Sequence, residues 1–136
     1  MLIVDCSVAI AWVVAERATA VARDILEQPD RLSAPDVFWS ECANALWAKT
    51  QRGELSDVSA GRALDALLMI GIADIPSRPL ANDALRLGRL MRHPVYDAMY
   101  LAAALSEDAV VVTLDQRFAA AAETAGYGDR IRLLTA

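Results

Sequence analysis

Four acidic residues sit where an isolated charge is costly. Asp5 directly follows Leu2-Ile3-Val4, and Glu41 lies inside the apolar stretch Phe38 to Leu46. Asp97 opens the run Met99 to Leu105, and Asp115 follows Val110-Val111-Val112. Burying an unpaired carboxylate costs several kcal/mol, so such groups must take up protons, meet cations or bind a metal. A hard divalent cation, Mg²⁺ or Mn²⁺, answers that need because it prefers oxygen ligands. Taken singly, each acid has an ordinary structural reading as well: Asp97 suits a helix N-terminus and Asp115 a helix cap. Glu41 has no helical partner at i+4, where Ala45 stands, and is harder to explain that way.

Other common chemistries fail on inventory. His93 is the only histidine and there is no Gly-x-Ser-x-Gly, so a histidine-based hydrolase triad has no support. No glycine-rich loop for nucleotide phosphates or dinucleotides is present. Cys6 and Cys42 are too few and too far apart for a disulfide framework or, with one histidine, for zinc; they read as buried thiols. A phospho-acceptor site built on Asp5 would want a second Asp two residues on or a lysine after a late strand. Position 7 is Ser, and the only lysine, Lys49, falls in a helical stretch.

The net charge of −5, from 18 acids and 13 bases, argues against an anionic partner until the four acids are set aside. The remaining 14 acids against 13 bases leave a net of −1, so the acidity can be concentrated at one site. Twelve of the bases are arginine, the side chain that grips phosphate bidentately.

The elements that must position these acids follow from hydrophobic periodicity. Strands are expected at Leu2 to Val4, Leu32 to Ala34, Ile72 to Ile75, Ala109 to Thr113 and Ile131 to Leu134. Helices are expected at Val8 to Val14 with Ser7 as cap, Thr19 to Glu27, Asp36 to Arg52, and from Ser56 to about Ile70. Three more follow at Leu80 to Met91, Val95 to Ser106 and Gln116 to Ala125. Strands alternating with helices give an α/β fold whose parallel sheet is covered on both faces. Ligands in such sheets bind beyond the carboxyl ends of the strands, where Asp5 and Asp115 both lie. With 136 residues and 56% of them apolar, the chain fits one domain, residues 1–136, with a real core. The longest uncharged stretch, Cys6 to Ala15, is too short to span a bilayer. With no basic residue before Asp5 there is no sign of a signal peptide, so a cytoplasmic address is expected.

Four segments in order carry a family likeness: Val4-Asp5-Cys6-Ser7, Ser40-Glu41-Cys42-Ala43-Asn44-Ala45-Leu46, Tyr96-Asp97-Ala98-Met99-Tyr100-Leu101-Ala102 and Val112-Thr113-Leu114-Asp115-Gln116-Arg117-Phe118. Through them the chain resembles the PIN domain, and within it the VapC-type toxins of toxin-antitoxin pairs, over essentially its whole length. That resemblance implies a three-layer α/β/α fold with a central, mostly parallel sheet, and an endoribonuclease that leaves a 3′-hydroxyl and a 5′-phosphate. It implies that Asp5, Glu41, Asp97 and Asp115 are catalytic and bind Mg²⁺ or Mn²⁺, with Ser7, Asn44 and Thr113 supporting them. Gln116 and Arg117 stand where some relatives carry a further carboxylate, which leaves the number of metals open. Implied partners are an RNA substrate, a VapB-like antitoxin whose tail brings an arginine to the acids, and a second copy in a homodimer. Arg86, Arg89, Arg92 and Arg117 are candidate phosphate contacts, and a solvated helix face explains them equally well. His93 is expected to form a turn or pack. An RNA-maturation nuclease without an antitoxin and a catalytically silent binding module remain alternative readings of the same likeness.

Overall fold

A computed structural model describes residues 1–136. Five short strands, β1 (Leu2–Val4), β2 (Leu32–Pro35), β3 (Ala73–Ile75), β4 (Val110–Thr113) and β5 (Ile131–Leu133), form one sheet in the order β3-β2-β1-β4-β5. Every neighbouring pair is parallel, with Ile3 opposite Ser33 on one side and Val111 on the other. Leu2, Ile3 and Val4 are all buried, as a central parallel strand covered on both faces requires.

Seven helices flank the sheet in an α/β/α arrangement. They are α1 (Cys6–Val13), α2 (Thr19–Leu26), α3 (Val37–Gln51), α4 (Asp57–Leu68), α5 (Ala81–Met91), α6 (Val95–Ser106) and α7 (Gln116–Thr124). Helix α1 packs against α2, α3 and α4, while α5 packs against α6 and α7. Helix α6 lies across β1, β2 and β4, which is why Ala98 through Ala104 are buried without interruption. No helix is long and apolar enough to cross a membrane.

The strand order places the switch point at the centre. From β1 the chain builds outward through β2 and β3 on one side, then returns to lay β4 and β5 on the other. The carboxyl ends of β1 and β4 therefore border one crevice. Their register holds Val4 beside Val112, and the ladder continues as the Asp5 amide donates to the Val112 carbonyl at 3.1 Å.

One helix start differs from expectation. Helix α1 begins at Cys6, with Asp5 in the extended N-cap position, and Ser7 lies inside the first turn instead of capping it. The Ser7 hydroxyl is drawn away by the Asp5 carboxylate, as described below. Ser56 does cap α4, accepting from the Ser59 amide at 3.1 Å.

Candidate active site

Asp5 is 5% exposed at the end of β1, and both protein bonds to its carboxylate reach the same oxygen. Thr113 Oγ1 donates to Oδ2 at 2.6 Å and Ser7 Oγ donates to it at 2.7 Å. The two hydroxyls also act as acceptors: the Leu114 amide donates to Ser7 at 3.0 Å, and the Asp115 amide donates to Thr113 at 3.0 Å. The loop after β4 is thereby locked to the loop after β1. Burial pushes the Asp5 carboxyl above its usual range, against the pull of these two donors; the charges of Asp97 and Asp115 add to the rise.

Asp115 is the N-cap of α7, and its Oδ1 accepts from the amides of Arg117 at 2.9 Å and Phe118 at 3.1 Å. The capping reading of this residue thus holds, and its second oxygen is left free of protein bonds. Asp97 occupies the first turn of α6, where His93 Nε2 donates to its Oδ2 at 2.6 Å. Burial again raises the carboxyl, with His93 opposing. The His93 ring stacks on Phe118, centroids 5.7 Å apart, so its aim is held from two sides.

Glu41 projects from the middle of α3. Its Oε1 is buried with no hydrogen-bond partner, and burial, followed by the charges of Asp5 and Asp97, pushes its carboxyl to about 7.

The four acids converge in two overlapping groups. One oxygen each from Asp5, Glu41 and Asp97 lie within 4.8 Å of one another, and so do single ligand atoms of His93, Asp97 and Asp115. Opposite oxygens of an octahedral Mg²⁺ are about 4.2 Å apart, so this spacing suits a shared divalent ion. Charge agrees with geometry, because no Arg or Lys ion pair in the protein reaches Asp5, Glu41, Asp97 or Asp115. Three carboxyls with raised pKa, an orphaned buried oxygen and an all-oxygen donor set with one imidazole beside it fit a hard divalent cation.

The supporting residues divide. Ser7 and Thr113 hold Asp5, whereas Asn44 is exposed on α3 and makes no hydrogen bond to any of the acids. Among the arginines, Arg86 and Arg89 line a surface hollow on α5 with Asn82 and Leu85, apart from the acids, and Arg86 lies 3.9 Å from Asp83. Arg92 ends α5 in the left-handed conformation, φ 51°, so its place is set by the turn. Arg117 is exposed at the start of α7, and its amide serves the Asp115 cap. Two residues at the site were not foreseen there. His93 could have been found from its i,i+4 spacing to Asp97; Glu16, which lines the same cleft and pairs with Lys49 at 3.2 Å, carries no such signal.

Known proteins resemble this chain in sequence and fold. The PIN domain family model matches residues 2–124. The curated ribonuclease VapC3 of Pyrobaculum aerophilum is 30% identical over 125 residues, covering 87% of this chain and 92% of that protein. The crystal structure of PAE2754 from the same organism superposes with a TM-score of 0.70 at 26% identity, over 88% of this chain and 78% of the other. VapC20 of Mycobacterium tuberculosis, a sarcin-ricin loop cleaving toxin, gives a TM-score of 0.67 at 18% identity, over 89% and 95%. A chain from a Klebsiella pneumoniae toxin-antitoxin complex gives 0.60 at 17%, over 85% and 87%; these last two are likenesses of fold.

Proposed function

The chain belongs to the PIN domain family, and on that premise we propose that it is a VapC-type endoribonuclease, a single domain over residues 1–136 acting in the cytoplasm as the toxin of a toxin-antitoxin pair. Its substrate is RNA, cut to leave a 3′-hydroxyl and a 5′-phosphate. The observation that carries the reading is the convergence of Asp5, Glu41 and Asp97 within 4.8 Å, with Asp115 meeting Asp97 and His93 on the other side, and no Arg or Lys ion pair to offset them.

These four acids would hold Mg²⁺ or Mn²⁺. When bound, the ion supplies positive charge to a phosphodiester under in-line attack and makes the attacking water more acidic. The remaining work falls to the protein. Thr113 and Ser7 fix one oxygen of Asp5 and leave the other without a protein bond. His93 does the same for Asp97, and the first amides of α7 do it for Asp115. One of these carboxylates would also orient the attacking water. No serine, cysteine or histidine nucleophile is required.

The antitoxin is expected to quench this site by placing an arginine against the same carboxylates, since a fork of donors matches a cluster of acceptors. The enzyme is expected to work as a homodimer, which gel filtration with light scattering would test. The direct test of the activity is cleavage of a mixed RNA pool by purified protein. We expect cutting with Mg²⁺, none with EDTA, and a loss of at least about 100-fold for Asp5→Asn. Cutting that survives both EDTA and the substitution would overturn the metal mechanism.

A further inference from the structure

Behind the acids lies a second polar atom without a partner. Tyr100 is 0% exposed on α6, and its phenolic oxygen makes no hydrogen bond. It stands three residues after Asp97, so both side chains leave the same side of the helix. Asp97 and Glu41 each bring an oxygen to the group that lies within 4.8 Å, and Glu41 Oε1 is the other buried atom there without a partner. The hydroxyl lowers the pKa of Glu41 and the charge of Glu41 raises that of Tyr100, although the geometry falls short of a formed hydrogen bond. The other titratable groups that act on Tyr100 are Asp5, Cys6 and Cys42. Asp5 already has two donors.

The contrast among the four acids gives this pair its meaning. Asp5 is held by two hydroxyls, Asp97 by an imidazole and Asp115 by two amides, each at 3.1 Å or less. Glu41 has the longest side chain of the four and the most rotamer freedom, yet no formed hydrogen bond anchors its carboxylate. A buried tyrosine normally finds an acceptor, and the groups that hold metal-binding side chains in place are themselves hydrogen-bonded.

We propose that Tyr100 is the positioning residue for Glu41: its hydroxyl donates to one carboxylate oxygen and so presents the other to the divalent ion. This rests on the reading of the four acids as a metal site. Tyr100 touches neither ion nor RNA in this role and acts only through Glu41.

The test uses the full chain and Mn²⁺ without RNA, with free Mn²⁺ measured by electron paramagnetic resonance. Tyr100→Phe should weaken Mn²⁺ binding about tenfold. Tyr96→Phe, at an exposed tyrosine of the same helix, should change nothing. In a Glu41→Gln background, Tyr100→Phe should have no further effect, because the side chain it acts through has lost its charge. A Tyr100→Phe protein that melts lower but binds Mn²⁺ like the wild type would overturn the proposal and leave the metal site standing. Wild-type protein that binds no Mn²⁺ would overturn the metal reading and this inference with it. A second measurement needs no variant at position 100. With tyrosine labelled at Cζ, the wild type gives three signals, from Tyr96, Tyr100 and Tyr127, assignable by Tyr96→Phe and Tyr127→Phe. Saturating Mg²⁺ should move the Tyr100 signal; a signal that stays in place would equally sink the idea.

Discussion

Two hydroxyl protons converge on one oxygen of Asp5, and that convergence decides what the residue can do. A buried carboxylate with a single oxygen satisfied is stable enough to stay and open enough to ligate. Thr113 is the more deeply buried of the two donors, and like Ser7 its oxygen also accepts an amide, that of Asp115. Thr113→Val keeps the shape, removes the donor and leaves that amide without its acceptor. We expect a loss of about 1–3 kcal/mol in urea denaturation together with weaker cleavage; an unchanged midpoint would show that water replaces the hydroxyl. His93 presents a parallel case. His93→Ala removes both the bond to Asp97 and the stack on Phe118, and should slow cleavage at fixed Mg²⁺ by about tenfold. His93→Gln retains an N–H donor and should recover part of the rate; equal rates for Ala, Gln and wild type would assign His93 to packing alone.

At the scale of elements, the α5–α6 turn aims His93, and Gly88 sets that turn. A Cβ at Gly88 would lie 3.1 Å from Val95 Cγ2 and 3.2 Å from the His93 carbonyl, a tight fit in which the Val95 side chain or the His93 turn must give by a few tenths of an ångström. Gly88→Ala is therefore expected to cost about 1–3 kcal/mol and to slow cleavage by shifting His93; thermal melting and an RNA assay check the two effects, and full activity at an unchanged midpoint would refute the argument. Much of this scaffold was legible in advance. The uninterrupted apolar runs of β1 and β4, and the breaks at Pro29, Gly53 and Pro94, locate the elements to within a residue or two. What sequence left out are side-chain choices made by tertiary contacts. Ser7 has the residue type of a cap, but the buried Asp5 carboxylate competes for its hydroxyl more strongly than a helix amide does. Asn44 shares a helix with Glu41 and still faces solvent, since the crevice takes up only a narrow stripe of α3. Arg92 belongs to a helical row of arginines by spacing, yet the chain reverses on it.

For the whole molecule, the sheet gathers much of the negative charge at one end, and this makes stability depend on pH and metal together. Burial raises the carboxyls of Asp5, Glu41 and Asp97 in the folded state, Glu41 to about 7 from 4.5. A folded protein that holds protons more tightly than its unfolded chain is favoured at low pH. The contribution is complete below the ordinary carboxylate range and is lost as pH rises through the folded values, here up to about 7. Without metal, the melting temperature should therefore fall between pH 5 and pH 8. The expected drop is roughly 3–6 °C, kept small because Glu41 and Asp97 are partly solvated and screened. A divalent ion reverses the sign, since it binds the ionised cluster and competes with protons for it. Mg²⁺ at about 100 times its dissociation constant adds about 2.7 kcal/mol to the folded state, enough to make pH 8 the more stable condition. Calorimetry at the two pH values, with EDTA and with Mg²⁺, gives four melting temperatures in which the order of the two pH values should invert. A melting temperature that is lower at pH 8 in both series would mean that the acids do not bind the ion, and that the crevice between β1 and β4 is not a metal site.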